Sequence, residues 1–247
     1  MKKSFRKLNV LALSAAAPML LFAARAQAQQ SVTVLNNSFQ LQPQSPGGTT
    51  ILTPNGPTDW TGFNVGSGGN YDIGLSGENG SDYTAGPLAP PASGSSYLWI
   101  NRFNGNGTQV AGIYQDVGSL LADTTYTLTV AIGQRAGAGP NGSWSPGIIS
   151  LLNGTDNTGA VLATGGGLAG TANSWEDFDA TFTTGASVSG DLTIDLSVLD
   201  AGSIQADFSN VELTATAVPE PSVFAMFGGG LALLWLVVRR RNQAVVK

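Results

Sequence analysis

Histidine and cysteine are both absent from this chain of 247 residues. Without cysteine there is no disulfide to staple a domain and no thiol to act as nucleophile or metal ligand. Without histidine, the usual general base of a Ser-His-Asp triad and the commonest zinc ligand are missing. Most hydrolase and metalloenzyme plans are excluded on that ground. A glycosidase built on paired carboxylates survives, because it needs only Asp and Glu. Basic residues are also scarce in the body of the chain. Nine of the eleven lie near the ends (Lys2, Lys3, Arg6, Lys7, Arg25, Arg239, Arg240, Arg241 and Lys247). Residues 29–218 keep only Arg102 and Arg135 against fifteen acids, a net charge of −13. So acidic a surface repels phosphate backbones and excludes nucleic acid as a partner. It suits solvation, divalent cations or a neutral polymer.

Glycine, by contrast, is abundant at 33 residues, and long helix formers are few, which points to many turns and short strands. Strand signals recur with turn residues between them. In "TYTLTVAIGQR", Tyr126, Leu128, Val130 and Ile132 point one way and the interleaved threonines the other. "SYLWINRFNG" and "TQVAGIYQDV" read as a hairpin closed through Asn104-Gly105-Asn106-Gly107, since Asn-Gly steps favour tight turns. No body segment shows a helical period. The spacing predicts an all-β fold, an antiparallel two-sheet β-sandwich over residues 29–216, with Val32–Phe39 lying beside Val211–Thr216.

The two ends carry different signals. A basic start, an apolar stretch from Leu8 to Ala24 and the small-x-small pattern Ala26-Gln27-Ala28 read as a signal peptide over 1–28, cleaved after Ala28. Near the other end, Val223–Val238 holds no charge and is followed by Arg239, Arg240 and Arg241, which read as a stop-transfer signal. As a helix, 223–238 spans about 24 Å at ~1.5 Å per residue and is expected to cross the membrane. Before it, Pro219 and Pro221 hold Glu220 in an extended, solvated backbone that a processing enzyme can grip.

Val218-Pro219-Glu220-Pro221-Ser222, the apolar helix and the triple arginine together resemble the PEP-CTERM sorting signal, over residues 217–247. That resemblance implies an exosortase-type processing partner and an exported protein. It would be anchored by its C-terminal helix and then released to the cell surface or the exopolysaccharide matrix. The strand patterns "NNSFQL", "GIYQDVGSLLADTTYTLTVAIGQR", "SWEDFDATFTT" and "ADFSNVELTA" resemble galactose-binding-like jelly rolls, the fold of many carbohydrate-binding modules. In such domains an acid after the first strand and an Asp near the last hold a structural calcium. The matching positions are Gln40, which departs from the pattern, and Asp207.

Candidate sites are few. Flat aromatic rings stack on the C–H face of a sugar, so Trp144, Trp60, Tyr71 and Tyr83 are candidates for a sugar platform. Trp144, flanked by Gly142, Ser143, Ser145 and Pro146, is the most loop-like of them, whereas Trp99 and Trp175 read as core. Glu176, Asp177 and Asp179 form the densest acid cluster, but Asp177 and Asp179 share one strand face directed at solvent. "NGTDNTG" (153–159) reads as a polar hairpin. The expectation is an exported, non-catalytic protein of the cell envelope or exopolysaccharide matrix, not an enzyme, with polysaccharide as a partner. The alternatives are a specific carbohydrate-binding module and a histidine-free glycoside hydrolase.

Overall fold

The computed structural model describes residues 29–45, 48–66, 70–77, 92, 94–103, 110–135, 144–199, 204–218, 228–231 and 233–239. Twelve strands follow one another in the described body. They are β1 (Gln30–Val32), β2 (Thr49–Ile51), β3 (Thr61–Val65), β4 (Asn70–Gly77), β5 (Ser96–Phe103), β6 (Val110–Ser119), β7 (Thr124–Gln134), β8 (Gly147–Asn153), β9 (Ala160–Gly167), β10 (Ser174–Thr183), β11 (Asp191–Leu199) and β12 (Ile204–Ala217). They form two antiparallel sheets. One runs β10-β7-β12-β5-β4-β2 with β1 also paired to β12, and the other runs β3-β6-β11-β8-β9. The expected two-sheet antiparallel sandwich is what the chain builds.

Strict alternation explains the core. Tyr126, Leu128, Val130 and Ile132 of β7 pack inward against Ile194, Leu196 and Val198 of β11 and Ile149 and Leu151 of β8, in one buried cluster. The fourteen-residue β12 keeps this pattern by a bulge between Ser209 and Val211, where Asn210 adopts φ 47°. The extra residue lets Ala206 and Phe208 before it, and Val211 and Leu213 after it, all face the core. As expected, the first and last strands pair, with Val32 opposite Leu213. The 153–159 segment does join two paired strands, β8 and β9, and Asp156 closes its turn. Hydrogen bonds from the hydroxyl and backbone N–H of Thr158 hold its carboxyl below the usual range.

Two expectations are corrected here. β5 and β6 do not form a hairpin: β5 pairs with β4 and β12, whereas β6 pairs with β3 and β11 in the other sheet. Ser96–Ile100 are buried on both faces, so β5 belongs inside a sheet, between two partners. Asn-Gly steps record a local turn preference and carry no information about which sheet the next strand joins.

The expected membrane anchor is the second correction. No helix among the described residues is long and apolar enough to cross a membrane. The described helical residues there are 228–231 and 233–239. Arg239 lies over the Trp235 ring, with its guanidinium carbon 5.0 Å from the centroid. Pro219, Glu220, Pro221, Ser222, Arg240, Arg241 and the cleavage positions Ala26 and Ala28 lie outside the described residues.

Candidate functional site

The inner face of the seven-stranded sheet is the core; its outer face divides into two unlike halves. One half is lined with threonines. Thr125 pairs with Thr183 at 2.9 Å, Thr127 with Thr181 at 3.3 Å, and Thr129 donates to Asp179 at 2.6 Å. The other half is aromatic and buried: Tyr97, Trp99, Ala131 and Trp175 form a second hydrophobic cluster with Ala92. Trp99 and Trp175 are therefore buried, but on the face turned away from the main core.

One cross-strand row organises this half. Gly74, Trp99, Asp207, Gly133 and Trp175 lie directly opposite one another on β4, β5, β12, β7 and β10. Directly opposite residues share a face, with Cβ atoms ~5 Å apart. Gly74 sets the spacing at one end of the row. A Cβ on Gly74 would stand 2.3 Å from the Trp99 ring, so only glycine lets that indole lie across the strand. Tyr97 meets Trp175 edge-on, ring centroids 5.9 Å apart at 67°. The row therefore holds one carboxylate between two indoles.

Asp207 is fully buried. Its Oδ2 lies 3.5 Å from Arg135 Nε, and its Oδ1 accepts from Gln205 Nε2 at 2.5 Å. Arg135 also donates to Gln205 Oε1 at 2.8 Å and lies 4.8 Å above the Trp144 ring. The charge that burial would make costly is thus compensated by one of the two arginines of the body. Beside this pair, Trp99 Nε1 and Asn101 Oδ1 are buried with no hydrogen-bond partner among the described residues. They lie two residues apart on one face of β5, one a donor and the other an acceptor.

The expected site residues scatter differently. Asp207 and half-buried Trp144 come together around Arg135. Trp60 is buried in the main core, 5.8 Å from Phe39, with its indole N–H donating to Leu35 O at 3.1 Å. Tyr71 packs partly buried against the same core. Both rings thus belong to the main core rather than to an outer sheet face, and Tyr83 lies outside the described residues. Of the acid cluster, Glu176 accepts from Gly170 N and Asp179 from Thr129. Partial burial, then Asp179 and Glu212, raise the Asp177 carboxyl. Arg135, Gln205, Asn101, Tyr97 and the two glycines were not singled out in the sequence. Polar Gln205 and Asp207 at alternate positions of a hydrophobic strand, "IQADFSN", are the one local signal for them.

The implied calcium positions do not converge. Gln40 Nε2 donates to Ser38 O at 2.7 Å and to Ser96 O at 2.8 Å, and its Oε1 accepts from Ser95 N at 3.1 Å. Asp207 faces Trp99, three residues further along β5, about 10 Å away at ~3.3 Å per residue. The carbonyls that a cation would need are held by an amide, and the carboxylate is held by arginine. Among the described residues no group of three or more Asp, Glu, His or Cys could hold a metal ion.

A family model described as HpiC1-like, HpiC1 cyclase, matches residues 30–214, three quarters of the chain. Among solved structures, the chain is similar to a Stig cyclase, Fisc, from Fischerella sp. TAU in complex with (3Z)-3-(1-methyl-2-pyrrolidinylidene)-3H-indole. The two are 21% identical, with 78% of this chain and 100% of that one covered and a TM-score of 0.62. It is also similar to a cyclase from Fischerella sp. TAU in complex with 4-(1H-indol-3-yl)butan-2-one: 24% identical, 77% and 100% covered, TM-score 0.59. At such identities the likeness shows the fold. A search of curated proteins finds no match.

The family match overturns the expectation of a non-catalytic envelope or matrix protein, together with its carbohydrate-binding and glycosidase alternatives. The exosortase and polysaccharide partners and the membrane-anchored or matrix location are corrected with it. The sorting-like signals lie at the chain ends, whereas the family match lies in the strands between them. This chain belongs to the HpiC1-like cyclase family.

Proposed function

We propose that this protein is a cyclase that closes a ring on an aromatic, nitrogen-bearing small molecule held on the aromatic half of the seven-stranded sheet. The observation that carries the reading is the row Trp99–Asp207–Trp175, one buried carboxylate between two indoles, with an unsatisfied donor and acceptor beside it. Buried polar atoms are nearly always paired, and exceptions mark functional sites. The indoles offer faces to a planar ring and to the positive charge that develops as a π-nucleophile closes on an activated carbon. Asp207 supplies the negative charge opposite that cation and a proton-transfer group within the same wall. Trp99 Nε1 and Asn101 Oδ1 orient the polar edge of the substrate. Indole compounds occupy both Fischerella cyclases, which supports an indole-bearing substrate here.

The test is calorimetric titration with 4-(1H-indol-3-yl)butan-2-one. Saturable binding is expected, weakened about tenfold in Trp175→Ala, the equivalent of the ~1.4 kcal/mol that one aromatic contact contributes. No binding, or binding indifferent to Trp175, would sink the assignment of this face.

The same reading dispenses with calcium at the Gln40 position. The carboxamide there makes three hydrogen bonds that close the β5 end without a metal. Excess EDTA is therefore expected to leave the melting temperature unchanged, as read by calorimetry; a drop of several degrees would show that a cation is bound after all. We also carry as proposals the domain limits: a leader over 1–28 cleaved between Ala28 and Gln29, a jelly-roll sandwich over 29–216, and a tail from 217.

A further inference from the structure

A second buried carboxyl lies on the opposite side of the molecule. The five-stranded sheet has its own outer face, and one row crosses it: Thr61 on β3, Tyr114 on β6, Asp195 on β11, Ser150 on β8 and Thr164 on β9. The ends of the row, Thr61 and Thr164, are exposed, while Asp195 and Ser150 at its centre are 7% exposed. The neighbouring row holds Phe63 and Gly112. A Cβ on Gly112 would stand 2.7 Å from the Phe63 ring, so the glycine lets that ring lie over the sheet. Phe63 and Tyr114 are tilted against each other with centroids 6.3 Å apart, both half-buried.

No cation of the body is available to Asp195. Arg135 is committed to Asp207, and Arg102 is buried between the sheets with its guanidinium donating to Asn64. The titratable groups on the same face are Tyr114 and Asp116 from β6 and Asp191 from β11; β3, β8 and β9 contribute none. Asp116 and Asp191 are spent locally, accepting from Gly118 N and the Ser119 hydroxyl. A metal ion would want several hard oxygens, and no such group is present among the described residues. What remains is an apolar wall, a carboxyl without a counter-ion among the described residues and an exposed rim.

We propose that this face binds a small organic ammonium ion, its charged nitrogen on Asp195 and its hydrocarbon part against Phe63 and Tyr114. A ring pair beside a carboxylate is suited to a substituted ammonium, whose charge is spread over its α-carbons and is drawn to aromatic faces. Ser197, which hydrogen-bonds Asp195, and Ser150 set the carboxyl among hydroxyls that can satisfy its remaining lone pairs. The site is separate from Asp207 and independent of the cyclase reading. The negative body of the chain enriches cations near it.

Burial raises the Asp195 carboxyl to about 7, with the Ser197 hydrogen bond opposing. Ligand affinity should follow its ionisation. The probe is benzylammonium chloride titrated into the full chain by calorimetry at about pH 6 and about pH 8, with benzyl alcohol as the neutral comparison. Affinity is expected to rise about tenfold between the two, the ratio of ionised fractions for a group titrating near 7. Asp195→Asn should abolish that rise and reduce binding to the level of benzyl alcohol, and Phe63→Ala should weaken it severalfold. Asp207→Asn should leave it unchanged. Absence of binding at about 10 mM, or equal binding by the Asp195→Asn protein shown folded by circular dichroism, would overturn the proposal.

Discussion

Asp207→Asn is expected to lower turnover by about 10²–10⁴-fold, the range that a positioned proton-transfer group contributes. The substitution keeps the shape of the side chain and the Gln205 contact but removes the charge. It also leaves Arg135, with a side chain only 17% exposed, beside a neutral amide. Breaking a buried pair from one side costs about 3–5 kcal/mol, because the remaining charge has lost its compensation. Activity and stability must therefore be separated. The double variant Arg135→Met/Asp207→Leu removes both charges and fills the space with apolar atoms, which is often neutral or stabilising. Its melting temperature should return to near the starting value while turnover stays lost. Recovery of turnover along with stability would mean that Asp207 acts only as a structural partner of Arg135. Chromatographic rate measurements below the melting transition, paired with calorimetry, decide between them.

The second large effect is on the pH dependence of folding. Asp195 titrates near 7 when folded, against 3.8 for the unperturbed side chain. Below about pH 4 the carboxyl is protonated in both states and the folded state keeps its full stability with respect to this group. Between about pH 4 and 7 the unfolded chain releases the proton while the folded chain retains it, so stability falls as pH rises. Above about pH 7 the whole penalty is present, up to about 4 kcal/mol from a shift of this size. Asp195→Asn removes the ionisation. The variant should match the parent near pH 4 and exceed it increasingly up to pH 8, in urea unfolding followed by fluorescence. Parallel curves for the two proteins would show that Asp195 is not strained by burial. A saturating ammonium ligand should recover part of the loss at pH 8, because it binds only the folded state.

How much of this was legible differs between fold and site. Alternation in "TYTLTVAIGQR" and "DLTIDLSVL" marks strands, inward faces and an all-β architecture correctly, because side-chain direction in a strand is a local, period-two property. The pairing of Val32 with Leu213 also follows from patterns at the two ends of the body. The β5–β6 hairpin failed because sheet membership is a non-local choice. The site was less visible still. Trp99 and Trp175 are indistinguishable from core residues by pattern, and Gly74 and Gly133 look like ordinary turn-formers until they are seen in one row with Asp207. Function was less legible for the same reason: the signals at the termini are contiguous in sequence, and those of the site are not.

By itself the sequence determined the absence of thiol and imidazole chemistry, the acidic body with only Arg102 and Arg135, and the strand periodicity that forces two stacked sheets. Only the tertiary structure decided which outward-facing positions are buried. Asp195 and Asp207 both occupy the polar phase of an alternating strand, where sequence predicts solvent. Burial there is set by what lies across and above the sheet, from segments tens of residues away. The register of five strands put one carboxylate beside arginine between two indoles, and the register of five others left its counterpart without a counter-ion.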